Sequence, residues 1–157
     1  MEIPGVYFER CNSFAILEGI LEDMPDGVSV TVCSYAVTEV WLRRLQLLRI
    51  SGRISRVEFL LDFDVMVRHR ELLLQLERVC DEVWLTQTHA KMIIVRSRSR
   101  CVAAVMSANA TQNYRTEVYY VTDRPIKTTR LRQQLSGILA GARRLRGTGT
   151  GAEADCG

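Results

Sequence analysis

Lysine and histidine are scarce in this chain of 157 residues. Only Lys91, Lys127, His69 and His89 occur, and every other basic residue is an arginine. One lysine and one histidine fall within a single tripeptide, His89-Ala90-Lys91. An ammonium group is a compact point charge on a narrow stem, so it fits a tight phosphate site better than a planar guanidinium does. The tripeptide is therefore the first candidate for chemistry.

Other absences exclude whole classes of protein. No apolar run approaches the ~20 residues that cross a membrane. The start, MEIPGVYFER, has no basic segment followed by an apolar one, so we expect no signal peptide and a cytoplasmic location. An odd number of cysteines without a C-x-x-C pair argues against a disulfide framework and a zinc site, and most should be small core residues. They are Cys11, Cys33, Cys80, Cys101 and Cys156.

The length and the ordinary balance of apolar and charged residues fit one globular domain. We assign it residues 1–146. The Gly-rich, apolar-poor stretch 147–157 predicts a disordered tail. A formal net charge of +3 is too mild to establish a polyanionic partner.

Hydrophobic spacing alternates between helical and strand periods along the chain. Helices are predicted at 13–24, 37–50, 68–80 and 126–146, and strands at 27–33, 55–62, 82–86, 89–95, 101–107 and 117–122. The runs 89–95 and 101–107, joined by a short polar turn, predict an antiparallel hairpin. Strands alternating with helices predict an α/β fold, an α-β-α sandwich whose mixed sheet is flanked by helices.

Polar side chains gather at one end of the predicted hairpin. Residues two apart share a face of a strand, so His89 and Lys91 should point the same way. The returning strand ends near Ser107 and Asn109, and Glu117 begins the next strand. These groups suit a phosphate site in which the lysine and the neutral donors hold phosphoryl oxygens, the histidine attacks and the glutamate orients the histidine.

Each of these residues also has an ordinary explanation. A single histidine at a strand start is usually structural, and a single lysine there is usually solvated. The Ser-Ala-Asn segment is also typical of a turn. The prediction of a site depends on their joint convergence.

Their order and spacing resemble the phospholipase D superfamily, whose signature is H-x-K-x4-D followed about a dozen residues later by G-S-x-N. The matching segments are HAKMIIV at 89–95, MSANATQN at 106–113, and Glu117. The resemblance covers roughly residues 13–145. Two positions differ: Arg96 stands where an aspartate is expected, and Met106 where a glycine is expected.

The resemblance implies a mechanism with two histidines, a phosphohistidine intermediate, and neither a metal nor another cofactor. This chain has one motif, and His69, in a predicted solvated helix end, is a poor second histidine. Relatives with one motif pair as homodimers, so we expect His89, Lys91 and Asn109 of two copies around one phosphodiester.

The positive charge suggests the substrate. Arg96, Arg98 and Arg100 alternate in the hairpin turn, and they either contact a nucleic-acid backbone beside the site or form a solvated tip. Small relatives with one motif are typically nucleases. We therefore expect a metal-independent nuclease, most simply an endonuclease, acting on DNA or RNA. A phospholipase or other small-phosphodiester hydrolase, and a non-catalytic module that holds phosphate, remain alternatives.

Overall fold

The computed structural model describes residues 1–68 and 70–145 of the chain. Eight β-strands form one sheet in this region. In chain order they are β1 (Gly5–Cys11), β2 (Val28–Ser34), β3 (Ile54–Asp62), β4 (Glu82–Thr86), β5 (Met92–Arg96), β6 (Cys101–Met106), β7 (Arg115–Thr122) and β8 (Arg143–Leu145).

Helices lie on both faces of the sheet. They are α1 (Ser13–Leu21), α2 (Glu39–Ile50), α3 (Asp64–Arg68), α4 (Arg70–Val79) and α5 (Pro125–Gly141). Asn12 caps α1, because its side-chain oxygen accepts a hydrogen bond of 2.9 Å from the N–H of Ala15. Gly52 follows α2 with a φ of +78°, a left-handed conformation that only glycine adopts without strain.

The sheet is mixed. Its strand order is β1-β7-β6-β5-β2-β3-β4-β8, in which β2, β3 and β4 are parallel and the other neighbours are antiparallel. This arrangement brings the carboxyl ends of β2, β3, β4 and β6 to one edge together with the amino ends of β5 and β7. That edge carries the residues of the candidate site.

The core is divided between the two faces of the sheet. On one face α1, α2 and α4 pack against the larger cluster, where Trp41 is fully buried between Phe14 and Phe59 at ring-centroid distances of 5.2 and 5.6 Å. On the other face α5 contributes Leu135 to a smaller cluster with Ile94 and other sheet residues. Alternate residues of strands β2 to β6 enter the two clusters, as the period of two requires.

The predicted fold class is confirmed, since a mixed eight-stranded sheet is flanked by helices in the described residues. The structure differs from the sequence predictions at two elements that were not predicted and at two whose bounds are different. Strand β1 and the short helix α3 were not predicted. Strand β5 begins at Met92 rather than at His89, and the final helix ends at Gly141, after which residues 143–145 pair with β4 as a strand.

Two other predictions fall on residues outside the described ranges, namely the solvated position of His69 and the disorder of 147–157. Within the described ranges, no helix is both long enough and apolar enough to cross a membrane.

Candidate active site

His89 and Lys91 lie next to each other at the edge of the sheet, just before β5. The Lys91 Nζ atom is 3.1 Å from the His89 Nδ1 atom and donates a 2.9 Å hydrogen bond to the His89 carbonyl oxygen. Their proximity therefore does not come from strand alternation, as the sequence suggested, because both precede the strand. It comes from the lysine stem folding back over one residue.

This contact constrains the imidazole. An ammonium group can only donate hydrogen bonds, so Nδ1 of His89 must offer its lone pair to Lys91. The proton of the neutral ring is then on Nε2. In this arrangement the neutral ring can donate a hydrogen bond through Nε2, and it can attack through that atom only after the proton moves to Nδ1.

The segment that carries His89 is held from the neighbouring strand ends. One carboxylate oxygen of Asp62, at the end of β3, accepts a 2.8 Å hydrogen bond from the N–H of Thr88. The ring of Tyr35, which follows β2, packs against the His89 ring at a centroid distance of 4.8 Å. The Tyr35 hydroxyl in turn donates to Asp64 at 2.7 Å. The hydrogen bond to Asp62 thus fixes the backbone just before His89, and the packing of Tyr35 fixes one face of the imidazole.

Ser107 and Glu117 form a second pair at the same edge. Across the hairpin, the N–H of Met106 donates a 3.0 Å hydrogen bond to the Lys91 carbonyl, which places Ser107 one step from the Lys91 backbone. The Ser107 hydroxyl donates to a carboxylate oxygen of Glu117 and accepts a 3.1 Å hydrogen bond from the N–H of Val118. Glu117 thus contacts the serine, and the structure gives it no hydrogen bond to His89.

Asn109 belongs to a buried hydrogen-bond network behind the edge. Its carbonyl accepts a 2.7 Å bond from the Ser13 hydroxyl, which itself accepts a 3.0 Å bond from the indole N–H of Trp41. Its side-chain oxygen lies 3.4 Å from the Ser34 hydroxyl, and that hydroxyl accepts a 2.8 Å bond from the N–H of Ala110. The loop after β6 is therefore tied to the start of α1 and the end of β2.

The amino ends of two helices also face this edge. Helix α1 begins at Ser13, and the N–H of Thr38, at the start of α2, donates a 3.0 Å hydrogen bond to the Ala110 carbonyl. Helix amino termini carry partial positive charge, so these two add to the charge of Lys91 at this edge. The same edge also carries the carboxylates of Asp62, Asp64 and Glu117.

Cysteine chemistry does not contribute to this site. Cys11, Cys33 and Cys80 are buried, as predicted from the sequence. Burial raises the pKa of the Cys33 thiol to about 12, so it stays protonated at neutral pH. Burial also raises the pKa of Cys11, and the nearby Glu9 and Glu117 carboxylates raise it further. A neutral thiol is a poor nucleophile.

His89 lies between two cavities. An open cavity of about 530 Å³, with both polar and apolar surface, is lined by Tyr35, Asp62 and Thr88 among others. An apolar cavity of about 380 Å³ opens between the edge and α5, with His89 and Lys91 at its rim. Its other lining residues are Cys33, Leu60, Ala90, Met92, Val105, Met106, Leu131, Gln134, Leu135 and Ile138. No pattern in the sequence indicated this second cavity.

The arginine turn does not lie beside His89. Strand β5 runs from Met92 at the site to Arg96, and four residue steps of a strand span about 13 Å. Arg96, Arg98 and Arg100 therefore lie at the opposite edge of the sheet. This corrects the expected position of the three arginines, because a hairpin turn lies at the far end of both strands.

Arg96 and Met106, the two positions at which the sequence differs from the signature that it resembles, both lie where their side chains are accommodated. Arg96 is exposed at the far end of β5, away from His89. Met106 is buried against the larger core cluster, and no described residue other than glycine has a positive φ, so a side chain is accommodated there without backbone strain. Neither substitution disturbs the contacts of the candidate site.

Sequence reasoning missed three residues that position the site: Ser34, Tyr35 and Asp62. All three lie at the carboxyl ends of parallel strands, where ligands bind in open α/β sheets. This rule could have indicated the three residues from the sequence, since it needs only the predicted ends of the parallel strands. Ser34 contacts Asn109, Tyr35 contacts His89, and Asp62 contacts Thr88. These three pairings depend on the strand order.

The chain matches no known protein-family model and no curated protein sequence. It resembles several solved structures. Polyphosphate kinase from Porphyromonas gingivalis aligns with a TM-score of 0.60 and 16% identity, over 87% of this chain and 26% of that one. TrmBL2, an archaeal chromatin protein with a novel mode of DNA binding, aligns with a TM-score of 0.58 and 9% identity, over 88% and 53%.

Phosphatidylserine synthase from Haemophilus influenzae Rd KW20 aligns with a TM-score of 0.57 and 12% identity, over 90% of this chain and 39% of that one. The chain thus spans about half or less of the length of each of these structures. At such low identities the likeness concerns the fold alone. The fold is a phospholipase D-like α/β sandwich with a mixed sheet.

The buried hydroxyl of Ser34 should contribute measurably to stability. The variant Ser34→Ala removes the acceptor of the Ala110 N–H and the donor of a 2.6 Å bond to the Ala36 carbonyl. Leaving buried polar groups unpaired costs about 1–3 kcal/mol, so we expect the free energy of unfolding in urea to fall by that amount. Ser136→Ala, at an exposed position of α5, is the control and should change it by less than about 0.5 kcal/mol. Equal values for the two variants would contradict the role of Ser34.

Proposed function

We propose that the protein is a metal-independent phosphodiesterase, a nuclease that uses His89 as its nucleophile. The observation that carries the proposal is the contact between His89 and Lys91 at an edge where Ser107, Asn109 and Glu117 also lie. A nucleophile, a cation and neutral donors around one opening are the groups that phosphoryl transfer to a side chain requires.

Lys91 and the neutral donors bind the phosphate in this proposal. When a phosphoryl oxygen accepts the hydrogen bond of the Lys91 ammonium, Nδ1 of His89 loses that contact and can carry the ring proton. Nε2 then has a free lone pair for attack. Asn109 supplies further hydrogen bonds to phosphoryl oxygens through its side-chain NH2 group, and Ser107 supplies another when its single O–H turns from the Glu117 carboxylate to the phosphate.

The reaction needs a second proton carrier, and a homodimer supplies one. His89 of one subunit attacks phosphorus, an N–P bond forms, and the P–O bond to the leaving group breaks. The partner subunit's His89, as an imidazolium with both ring nitrogens protonated, gives its Nε2 proton to the leaving oxygen and becomes neutral. The second ring then takes a proton from water, whose oxygen attacks phosphorus and breaks the N–P bond. A two-fold axis at this edge brings two identical motifs together.

An exposed apolar surface supports association of two copies. Val6 and Phe8 of β1 and Val118 of β7 point to the sheet face that α5 covers only in part, and they are 73%, 79% and 49% exposed. Cross-strand neighbours of this size are rarely left in water without a partner surface. A second copy of the chain would bury them beside the edge that carries the site.

Loss of the imidazole should abolish the activity. We expect His89→Ala to lower the rate of DNA or RNA hydrolysis by about 10³-fold or more, because the nucleophile and the acid are both lost. His69→Ala, which removes the other histidine, is the matched control and should retain the wild-type rate. EDTA should leave wild-type hydrolysis unchanged. Strong inhibition by EDTA, or an active His89→Ala protein, would overturn the mechanism.

Mixing experiments test the shared site. Wild-type protein equilibrated with an equal amount of His89→Ala should form about one quarter wild-type dimers, and only these carry two copies of His89. The hydrolysis rate should fall to about a quarter of that of an equal total amount of wild-type protein. Independent monomers would give about a half instead. Native mass measurements on the same mixture report whether the dimers form and exchange.

The apolar cavity favours a second candidate function. Its lining by Leu131, Leu135, Ile138 and two methionines, with His89 and Lys91 at the rim, suits a phosphodiester with an apolar substituent, such as a phospholipid. Under the nuclease proposal the wild-type protein should cleave DNA or RNA and leave phosphatidylcholine intact under the same conditions. Cleavage of the lipid alone would establish the second candidate and rule out the first.

A further inference from the structure

A second basic site lies at the edge of the sheet opposite His89. Two cavities, of about 200 and 290 Å³, adjoin there, and Arg96 and Arg132 line both. Arg98, at the tip of the hairpin turn, lines the larger one. The site thus combines arginines from β5, the turn and α5, although these residues are far apart in the sequence.

These three guanidinium groups are available to a ligand. Arg96, Arg98 and Arg132 are exposed, and the described residues include no carboxylate paired with any of them. Arg100 differs, because it pairs with Asp123 at 3.0 Å and so holds the turn against the segment before α5. Of the three arginines predicted from the sequence, two therefore remain for binding, and Arg132 joins them.

The turn presents its arginines in a defined geometry. The Ser97 hydroxyl accepts hydrogen bonds from the N–H groups of Ser99 and Arg100, at 3.3 and 3.0 Å, and the Ser97 N–H donates to the Arg100 carbonyl at 2.8 Å. These bonds close the turn on itself. The conformational freedom that Arg98 gives up when it meets a ligand is therefore mainly that of its side chain.

Hydroxyl groups accompany the arginines. Ser99 and Thr129 line the larger cavity. Ser29 and Thr31 line the smaller one, but their hydroxyls already donate to the Arg96 carbonyl and to the carboxylate of Glu58, which lines the same cavity, so the larger cavity is the one that suits an anion. Arginine with serine and threonine is the combination that contacts phosphate oxygens of nucleic acids. Among the described residues that line the larger cavity, only Cys101 and Pro125 have no strongly polar side chain, so it has no large apolar group to insert into a lipid layer.

We propose that this distal site binds backbone phosphates of a nucleic acid, at least about 13 Å from the bond that His89 attacks. The identity of the attacked bond rests on the proposed function, whereas binding at the distal site does not. A distance of about 13 Å corresponds to about four base steps of a duplex. The site therefore adds affinity for strands of several nucleotides and contributes nothing to small phosphodiesters.

Binding of a labelled strand tests the site directly. In the His89→Ala background, which keeps the strand intact, Arg98→Ala/Arg132→Ala is compared with Arg43→Ala/Arg130→Ala, a control that removes the same charge from exposed positions outside both cavities. Fluorescence anisotropy with a 20-base-pair duplex should show at least about 10-fold weaker binding for the first pair only. The slope of log K against log salt should fall by about two, because two phosphates are no longer neutralised by an arginine.

Four further outcomes test the inference. If both double variants weaken duplex binding equally, the effect comes from the overall positive charge of the protein rather than from a distinct site, and the inference is overturned. Loss of binding to phosphatidylserine vesicles, with duplex binding intact, would assign the site to membranes and also overturn it. The distal variants with His89 intact should hydrolyse bis(p-nitrophenyl) phosphate at the wild-type rate. If no substrate is cleaved while the distal pair still weakens duplex binding, the nuclease proposal fails and the distal site stands.

Discussion

The register of β5 between β2 and β6 determines where the candidate site lies. Met92 pairs with Cys33 on one side and with Val105 on the other, and the Met106 N–H extends the ladder to the Lys91 carbonyl. The register is strongly specified because Ile93 and Val95 must enter the larger core cluster. A slip of one residue would turn both side chains to the opposite face and displace the residues before the strand.

Buried polar groups then define the shape of the edge more than they stabilise it. The hydroxyls of Ser13 and Ser34 each make two or more hydrogen bonds in the interior and connect the start of α1, the end of β2 and the loop of Asn109. The net gain from each such bond is small, since water would have satisfied the same groups in the unfolded chain. Their value is specificity, because only one arrangement of the three segments satisfies all of them.

Positive charge is divided between the two edges that β5 connects. Lys91 stands at one edge with His89, where a compact ammonium can fold back onto an imidazole. Arg98 and Arg132 lie exposed at the other edge, where a planar guanidinium can form two parallel hydrogen bonds with the oxygens of a phosphate group.

Local sequence patterns were enough to predict the α/β class, most helices and strands, and the hairpin that brings Ser107 to the same edge as Lys91, because hydrophobic period and turn residues act locally. They missed strand β1. Its apolar residues Val6 and Phe8 are exposed, so the strand does not show the alternation of buried apolar and exposed polar residues by which a strand is recognised. The distance of the arginine turn from His89 follows from the predicted hairpin itself, because the turn lies at the far end of both strands. The packing of Tyr35 on His89 came from the tertiary structure. That contact joins segments far apart in the chain, and it follows from a strand order that local periodicity does not encode.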